Sequence, residues 1–249
     1  EKDYKIDSMP KTREGVDLAL ADITRHPVRE YLRSLIWDGE KRCETLFIDY
    51  LGAEDSRYTR TVTRKALIGA AARILSPGCK HDHMLVLIGP QGCHKSTTLK
   101  KLGKEWFSDS LYTMSGKDAY EQLQGFWIIE LSEMAATRKA EVEQIKQFVS
   151  KQEDNYRAAY ARRTQCHPRQ CAFFGTTNDE EFLRDPTGAR RFWPVVVTDA
   201  GKTLGDKLTA SIVDQIWAEA VTYYEAGETW YLDGAVEEMA RKVQADHTE

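Results

Sequence analysis

The sequence predicts an α/β domain built on a parallel sheet, and three observations predict it. Short apolar runs that read as buried strands alternate with helical patterns. Three of those runs end in polar clusters, and the first is followed at once by a glycine-rich turn and a helix. In such sheets ligands bind beyond the carboxyl ends of the strands, where all three clusters would gather.

The elements follow in order. HPVREYLRSLIW, ETLFIDYLG and RYTRTVTRKALIGAAARILS carry helical periodicity, each ended by Gly or a Pro-Gly pair, and make residues 1–80 an N-terminal helical region. A core follows over 81–203. Its first strand is Met84-Leu85-Val86-Leu87-Ile88, and the helix after the turn runs from Lys95 to about Glu105. Phe126-Trp127-Ile128-Ile129 is a second strand ending in Glu130-Leu131-Ser132-Glu133, and Cys171-Ala172-Phe173-Phe174 a third ending in Gly175-Thr176-Thr177-Asn178. Between them lie a helix, Arg138 to Ser150, and a basic segment that folds as a hairpin or loop. Arg191 to Val197 reads as a further strand, and two helical patterns close the chain over 204–249.

The turn Gly89-Pro90-Gln91-Gly92-Cys93-His94-Lys95-Ser96-Thr97 has the form of a phosphate cradle, because unpaired backbone N–H groups and the helix dipole both face an anion. Lys95 would reach the β- and γ-phosphates of ATP, and Ser96 would place its hydroxyl on Mg²⁺. Gly89 and Gly92 let the backbone curl around the phosphates. His94 stands where the G-x-x-x-x-G-K-[ST] pattern has glycine. Histidine tolerates positive φ better than bulky or β-branched residues, so the loop is expected to close, with weaker nucleotide affinity.

Glu130, at a strand end, is placed to hold the Mg²⁺ shell, and Glu133 is the nearby candidate to orient attacking water, the alternative being an exposed helix-start carboxylate. Asn178 could position water beside the γ-phosphate. Arg190 and Arg191 follow the turn Asp185-Pro186-Thr187-Gly188-Ala189, which could hold an arginine outward to complete a neighbouring subunit's site; the alternative is a surface salt bridge.

Net charge is −4, which argues against a chain coated in nucleic acid, yet Ser56–Lys80 has six Lys/Arg and no Asp/Glu. The Arg57–Arg73 helix has an apolar face, so its basic residues read first as a solvated outer face. KQEDNYRAAYARR interleaves cations with aromatics, making Lys151, Tyr156, Arg157, Tyr160, Arg162 and Arg163 candidates for single-stranded nucleic acid, against a merely solvated hairpin. Five cysteines lack paired CxxC spacing, and Cys166–Cys171 lacks a second ligand pair for zinc. A reducing cytoplasm fits best. No apolar run approaches the roughly 20 residues that cross a bilayer, so no membrane partner is expected. The opening EKDYKIDSMPK, without an initiator Met or apolar signal region, reads as an excised fragment lacking an N-terminal module.

From His26 to Val197 the chain resembles the virulence-associated protein E family, phage and pathogenicity-island proteins similar to superfamily 3 helicases of the AAA+ class. The segments that carry the resemblance are HPVREYLRSLIWDG, FIDYLGAEDSRYTRTVTRKALIGA, GPQGCHKST, EWFSDS, GKDAYEQLQGFWIIELSEM, VSKQEDNYRAAYARR, PRQCAFFGTTN and FLRDPTGARRFWPV. It implies a P-loop AAA+ core with Lys95, Ser96 and Thr97 in motif A, Glu130 in motif B, Asn178 in motif C, Arg190 or Arg191 as arginine finger, and Lys151–Arg163 facing a pore. Also implied are a primase-like N-terminal module, a hexameric ring in the cytoplasm of a bacterial host, and action on single-stranded or replication-origin DNA. The expected activity is ATP-driven, Mg²⁺-dependent DNA unwinding for a mobile element. An ATP-gated initiator or loader without processive unwinding remains the alternative, and a small-molecule P-loop kinase would need an acceptor pocket and lid that the sequence does not display.

Overall fold

A computed structural model of the chain describes residues 25–132, 139–157, 163–179, 182 and 189–247. Three helices come first: α1 (Pro27–Ser34), α2 (Leu46–Leu51) and α3 (Arg57–Leu75). Their starts are set locally, since His26 Nδ1 accepts from the Arg29 N–H at 3.2 Å with Pro27 behind it, and Ser56 Oγ accepts from the Thr59 N–H at 3.1 Å. There follow β1 (Met84–Ile88), α4 (Lys95–Gly103), β2 (Phe107–Ser108), α5 (Gly116–Glu121), β3 (Ile128–Leu131), α6 (Lys139–Val149), β4 (Glu153–Tyr156), β5 (Gln165–Pro168), β6 (Ala172–Thr177), β7 (Phe192–Val196), α7 (Gly201–Leu204), α8 (Ala210–Glu225) and α9 (Gly234–Asp246).

Five strands form one sheet in the order β2-β3-β6-β1-β7, every neighbouring pair parallel. β1 is buried along its whole length because helices cover both sheet faces, which is why it reads as a continuous apolar run. Alternation sends Leu85, Leu87, Ile128, Phe174, Trp193 and Val195 into a core shared with α1–α4 and α8. Met84, Val86, Ile88, Ile129 and Phe173 enter a second core with α5 and α6. In the first, the rings of Trp127 and Trp217 meet at 4.2 Å, and their indole N–H groups donate to the carbonyls of Ala70 and Leu102. That pair ties β3 to α3, α4 and α8, so the helices at both ends of the chain pack on one sheet face.

β4 and β5 form an antiparallel hairpin set apart from the main sheet. It is pinned by a buried ion pair: the Arg169 guanidinium donates to both carboxylate oxygens of Asp154, at 3.0 and 2.6 Å. Four of the five cations of α3 are likewise engaged or buried, Arg57 being exposed. Arg64 and Lys65 pair with Glu228 at 3.0 and 3.1 Å, Arg60 with Asp55 at 2.5 Å, and Arg73 is buried. Among the described residues, no helix is long and apolar enough to cross a membrane.

Candidate functional site

β1 runs into α4 through a turn at the sheet's carboxyl edge, between β6 and the edge strand β7. The turn needs two left-handed residues, and they are Gly92 at φ 82° and His94 at φ 64°, ψ 21°. Histidine therefore adopts the conformation usually left to glycine, as its tolerance of that region allows. The loop, with Ser132, Thr176, Thr177 and Asn178, lines an open cleft of about 280 Å³. Gln91, Gly92, Ser96 and Thr97 are exposed there, while Cys93 is buried and donates its thiol to the Pro90 carbonyl at 2.9 Å. Gly89 abuts β7's exit, where an added Cβ would sit 2.5 Å from the Val197 carbonyl oxygen.

Lys95 is buried, and its ammonium donates to the carbonyls of Gly89 (2.6 Å) and Pro90 (2.8 Å) and to Asn178 Oδ1 (3.0 Å). Asn178 follows β6, so the parallel pairing of β1 with β6 brings it beside the loop. On β3, Glu130 is 1% exposed and lies within the strand rather than just past its end. Its Oε1 accepts from Ser96 Oγ and from Thr176 Oγ1, both at 2.6 Å. Its Oε2 is buried and finds no hydrogen-bonding partner among the described residues. A desolvated carboxylate oxygen left open beside a hydroxyl at the cleft mouth suits a hard divalent cation, which takes oxygen ligands. These residues fit Mg²⁺.

Thr176 was not among the residues singled out from sequence. Alternation relates Thr176 only to Phe174; it is the β3–β6 register, with Phe174 opposite Glu130, that puts Thr176 on Glu130's face. Of the other expected site residues, Glu133, Tyr160 and Arg162 lie outside the described residues. Arg190 and Arg191 sit in a 3₁₀ turn before β7, at the amino end of the sheet and opposite the cleft. Arg190 is exposed, and the Arg191 Nε–H donates to Ser150 Oγ at 2.8 Å.

The hairpin buries one of the residues expected to stack on bases. Tyr156 is buried, its ring stacked 4.3 Å from His167 and tilted against Tyr120, so it anchors the hairpin instead of presenting a face to a base. Lys151 donates to the Tyr120 hydroxyl. Arg157 and Arg163 are exposed at the hairpin's outer end.

A family model described as the virulence-associated protein E-like domain matches residues 32–249. Among solved structures the chain is similar to the A-form apo structure of the NrS-1 C-terminal region, with 13% identity and a TM-score of 0.55 over 86% of this chain and 54% of that one. It is also similar to the apo structure of the NrS-1 C-terminal region (305–718), with 14% identity and a TM-score of 0.51 over 87% and 53%. At these identities the likeness is one of fold, and the chain spans about half the length of the structures it matches. No curated protein matches the chain.

Proposed function

The chain belongs to the virulence-associated protein E-like domain family, and from that premise and the geometry of the cleft we propose that it is a P-loop ATPase of the AAA+ class. In this reading ATP and Mg²⁺ drive a superfamily 3-like DNA helicase or translocase in the replication of a phage or other mobile element. The observation that carries it is the convergence of Lys95, the Ser96–Glu130 pair and Asn178 at the carboxyl ends of three parallel strands.

Each residue has work that its position supports. Backbone N–H groups at the start of α4, whose first residues line the cleft, would receive phosphate oxygens. Lys95 would exchange its carbonyl partners for the β- and γ-phosphates. Ser96 and Glu130 would hold Mg²⁺, which supplies charge neutralisation to the phosphates when bound. Asn178, already bonded to Lys95, would hold the attacking water near the terminal phosphate, with Glu133 as the sequence candidate to orient it. Arg190 or Arg191 would serve the site of a neighbouring copy in a ring, expected as a hexamer, with a primase-like module preceding the domain. Arg157 and Arg163 would meet the phosphates of single-stranded DNA.

Steady-state ATP hydrolysis with and without single-stranded DNA tests this reading. Turnover that DNA stimulates and Lys95→Ala abolishes is the expected result; absence of turnover in every condition overturns it. The engagement of Lys151 and Tyr156 by the body favours a second reading, an ATP-gated initiator or loader. ATP-dependent binding to origin duplex without strand separation would select that one.

A further inference from the structure

The segment after β7 grips the outer side of the loop, and two glycines, Gly201 and Gly205, allow it. A Cβ placed on Gly201 would lie 2.6 Å from the Cys93 carbonyl oxygen, and one on Gly205 would lie 2.8 Å from His94 Cβ and 2.9 Å from its Cγ. One on Gly92 would meet Lys202 Cε at 4.0 Å. Lys101, from the last turn of α4, donates to the Gly205 carbonyl at 2.9 Å. Residues 201–207 are therefore packed on the loop at 92–94 and on its following helix, and Leu208 is buried immediately before α8 begins.

His94 is the side chain that makes this packing specific. Its left-handed backbone aims Cβ at Gly205, and glycine at 205 leaves the space that the imidazole stem fills. A glycine at 94 would satisfy the loop conformation equally well and leave that space empty.

We propose that His94 and Gly205 form the contact through which occupancy of the loop is passed to residues 201–207 and thence to the start of α8. His94 is then a positioning residue and not a passive replacement for glycine. The proposal rests on the loop binding nucleotide. A loop that tightens around phosphates shifts the 92–94 backbone, and a close-packed contact with no free volume moves its partner with it.

Amide hydrogen exchange of the whole chain with and without ATP and Mg²⁺ tests it. The wild type should gain several-fold protection at both 89–97 and 201–208. His94→Gly, which fits the left-handed backbone without strain, should keep the first and lose the second. His94→Asn tolerates the same backbone and retains Cβ and Cγ, so it should keep both. Gly205→Ala, pressed against His94, should alter the protection at 201–208 in the otherwise intact loop. The proposal is overturned if 201–208 is protected equally in His94→Gly, or is unprotected in the wild type while 89–97 is protected. Absence of protection at 89–97 in the wild type sinks the nucleotide reading itself and the proposal with it.

Discussion

Lys95 and Asn178 are bonded across the cleft, Nζ to Oδ1 at 3.0 Å, although they lie on different strands' exits. The bond places a cation and a neutral amide at one point, which is where a terminal phosphate would be held. A hydrogen bond to a charged group contributes about 1.5–3 kcal/mol, or about 10- to 150-fold in an equilibrium constant. Lys95→Ala is therefore expected to weaken ATP binding by about that factor. Asn178→Ala should lower kcat with a smaller change in affinity. Titration calorimetry alongside turnover would distinguish the two effects.

Glu130 gives a sharper test of the metal. Its Oε1 is saturated by two hydroxyls and its buried Oε2 has no hydrogen-bonding partner among the described residues, so Glu130→Gln keeps the side chain's shape and an acceptor for Ser96 and Thr176 while removing the charge. The substitution should leave metal-free nucleotide binding nearly unchanged and remove most of the gain that Mg²⁺ provides. Equal enhancement by Mg²⁺ in both proteins would show that the carboxylate does not serve the ion. Thr176→Val, which removes one donor to the same oxygen, should have a weaker effect in the same direction.

The hairpin depends on the Asp154–Arg169 pair, whose side chains are almost fully buried. Removing one partner strands the other, at a cost of about 3–5 kcal/mol, whereas replacing both with apolar residues costs far less. Asp154→Ala should thus lower the urea midpoint markedly, and Asp154→Leu combined with Arg169→Leu should recover much of it. A small loss in the single variant would mean that the hairpin is held chiefly by Tyr156 and its aromatic neighbours.

Stability should fall in mild acid because of His81. Burial holds its pKa well below the ordinary histidine range, and Arg73 and His83 add to the shift. Its Nδ1 finds no partner among the described residues, and its ring occupies the space that Gly69 leaves. Above about pH 6.5 both folded and unfolded chains carry it neutral. Below that pH the unfolded chain takes up a proton that the folded chain refuses, so stability drops by up to about 1.4 kcal/mol per pH unit until the folded pKa is reached. His83, also lowered chiefly by burial, acts in the same direction. Urea denaturation between pH 7.5 and 5.5 should show a steeper loss in the wild type than in His81→Leu.

Local signals and long-range signals fared differently in the sequence. The β1 run, the glycine turn and the start of α4 were legible because each is written in consecutive residues. The same holds for the helical prefix and for the strand at Phe192–Val196. The burial of Tyr156 is not legible in the sequence, because alternation of basic and aromatic residues says nothing about which face meets Tyr120 and His167. The cations of α3 looked free because Glu228, which pairs with Arg64 and Lys65, lies at the other end of the chain. Gly205 carried no local mark at all; its contact with His94 exists only because the chain returns to the loop after β7.

Arg190 supplies the test of assembly. β7 is parallel to β1 with Phe192 opposite Met84, so the arginines before β7 stand at the sheet's amino edge while Lys95 lies beyond its carboxyl edge. At about 3.3 Å per residue, the five residues of β1 separate the two by roughly 16 Å before either loop is counted. An arginine side chain cannot cover that distance through a packed sheet. If either arginine acts on the phosphates it must act on another copy's, and the exposed Arg190 is freer to do so than Arg191, which is bonded to Ser150. Arg190→Ala should therefore lower turnover by orders of magnitude, as loss of an arginine finger does, while leaving nucleotide affinity close to that of the wild type. Mixing it with Lys95→Ala should restore hydrolysis, since one chain then contributes an intact cleft and the other an intact arginine. Two inactive variants that stay inactive together would mean that Arg190 supports its own chain's fold or that no shared site forms. Size-exclusion chromatography with multi-angle light scattering on the same mixtures, with ATP present, would separate those outcomes by showing whether the copies associate.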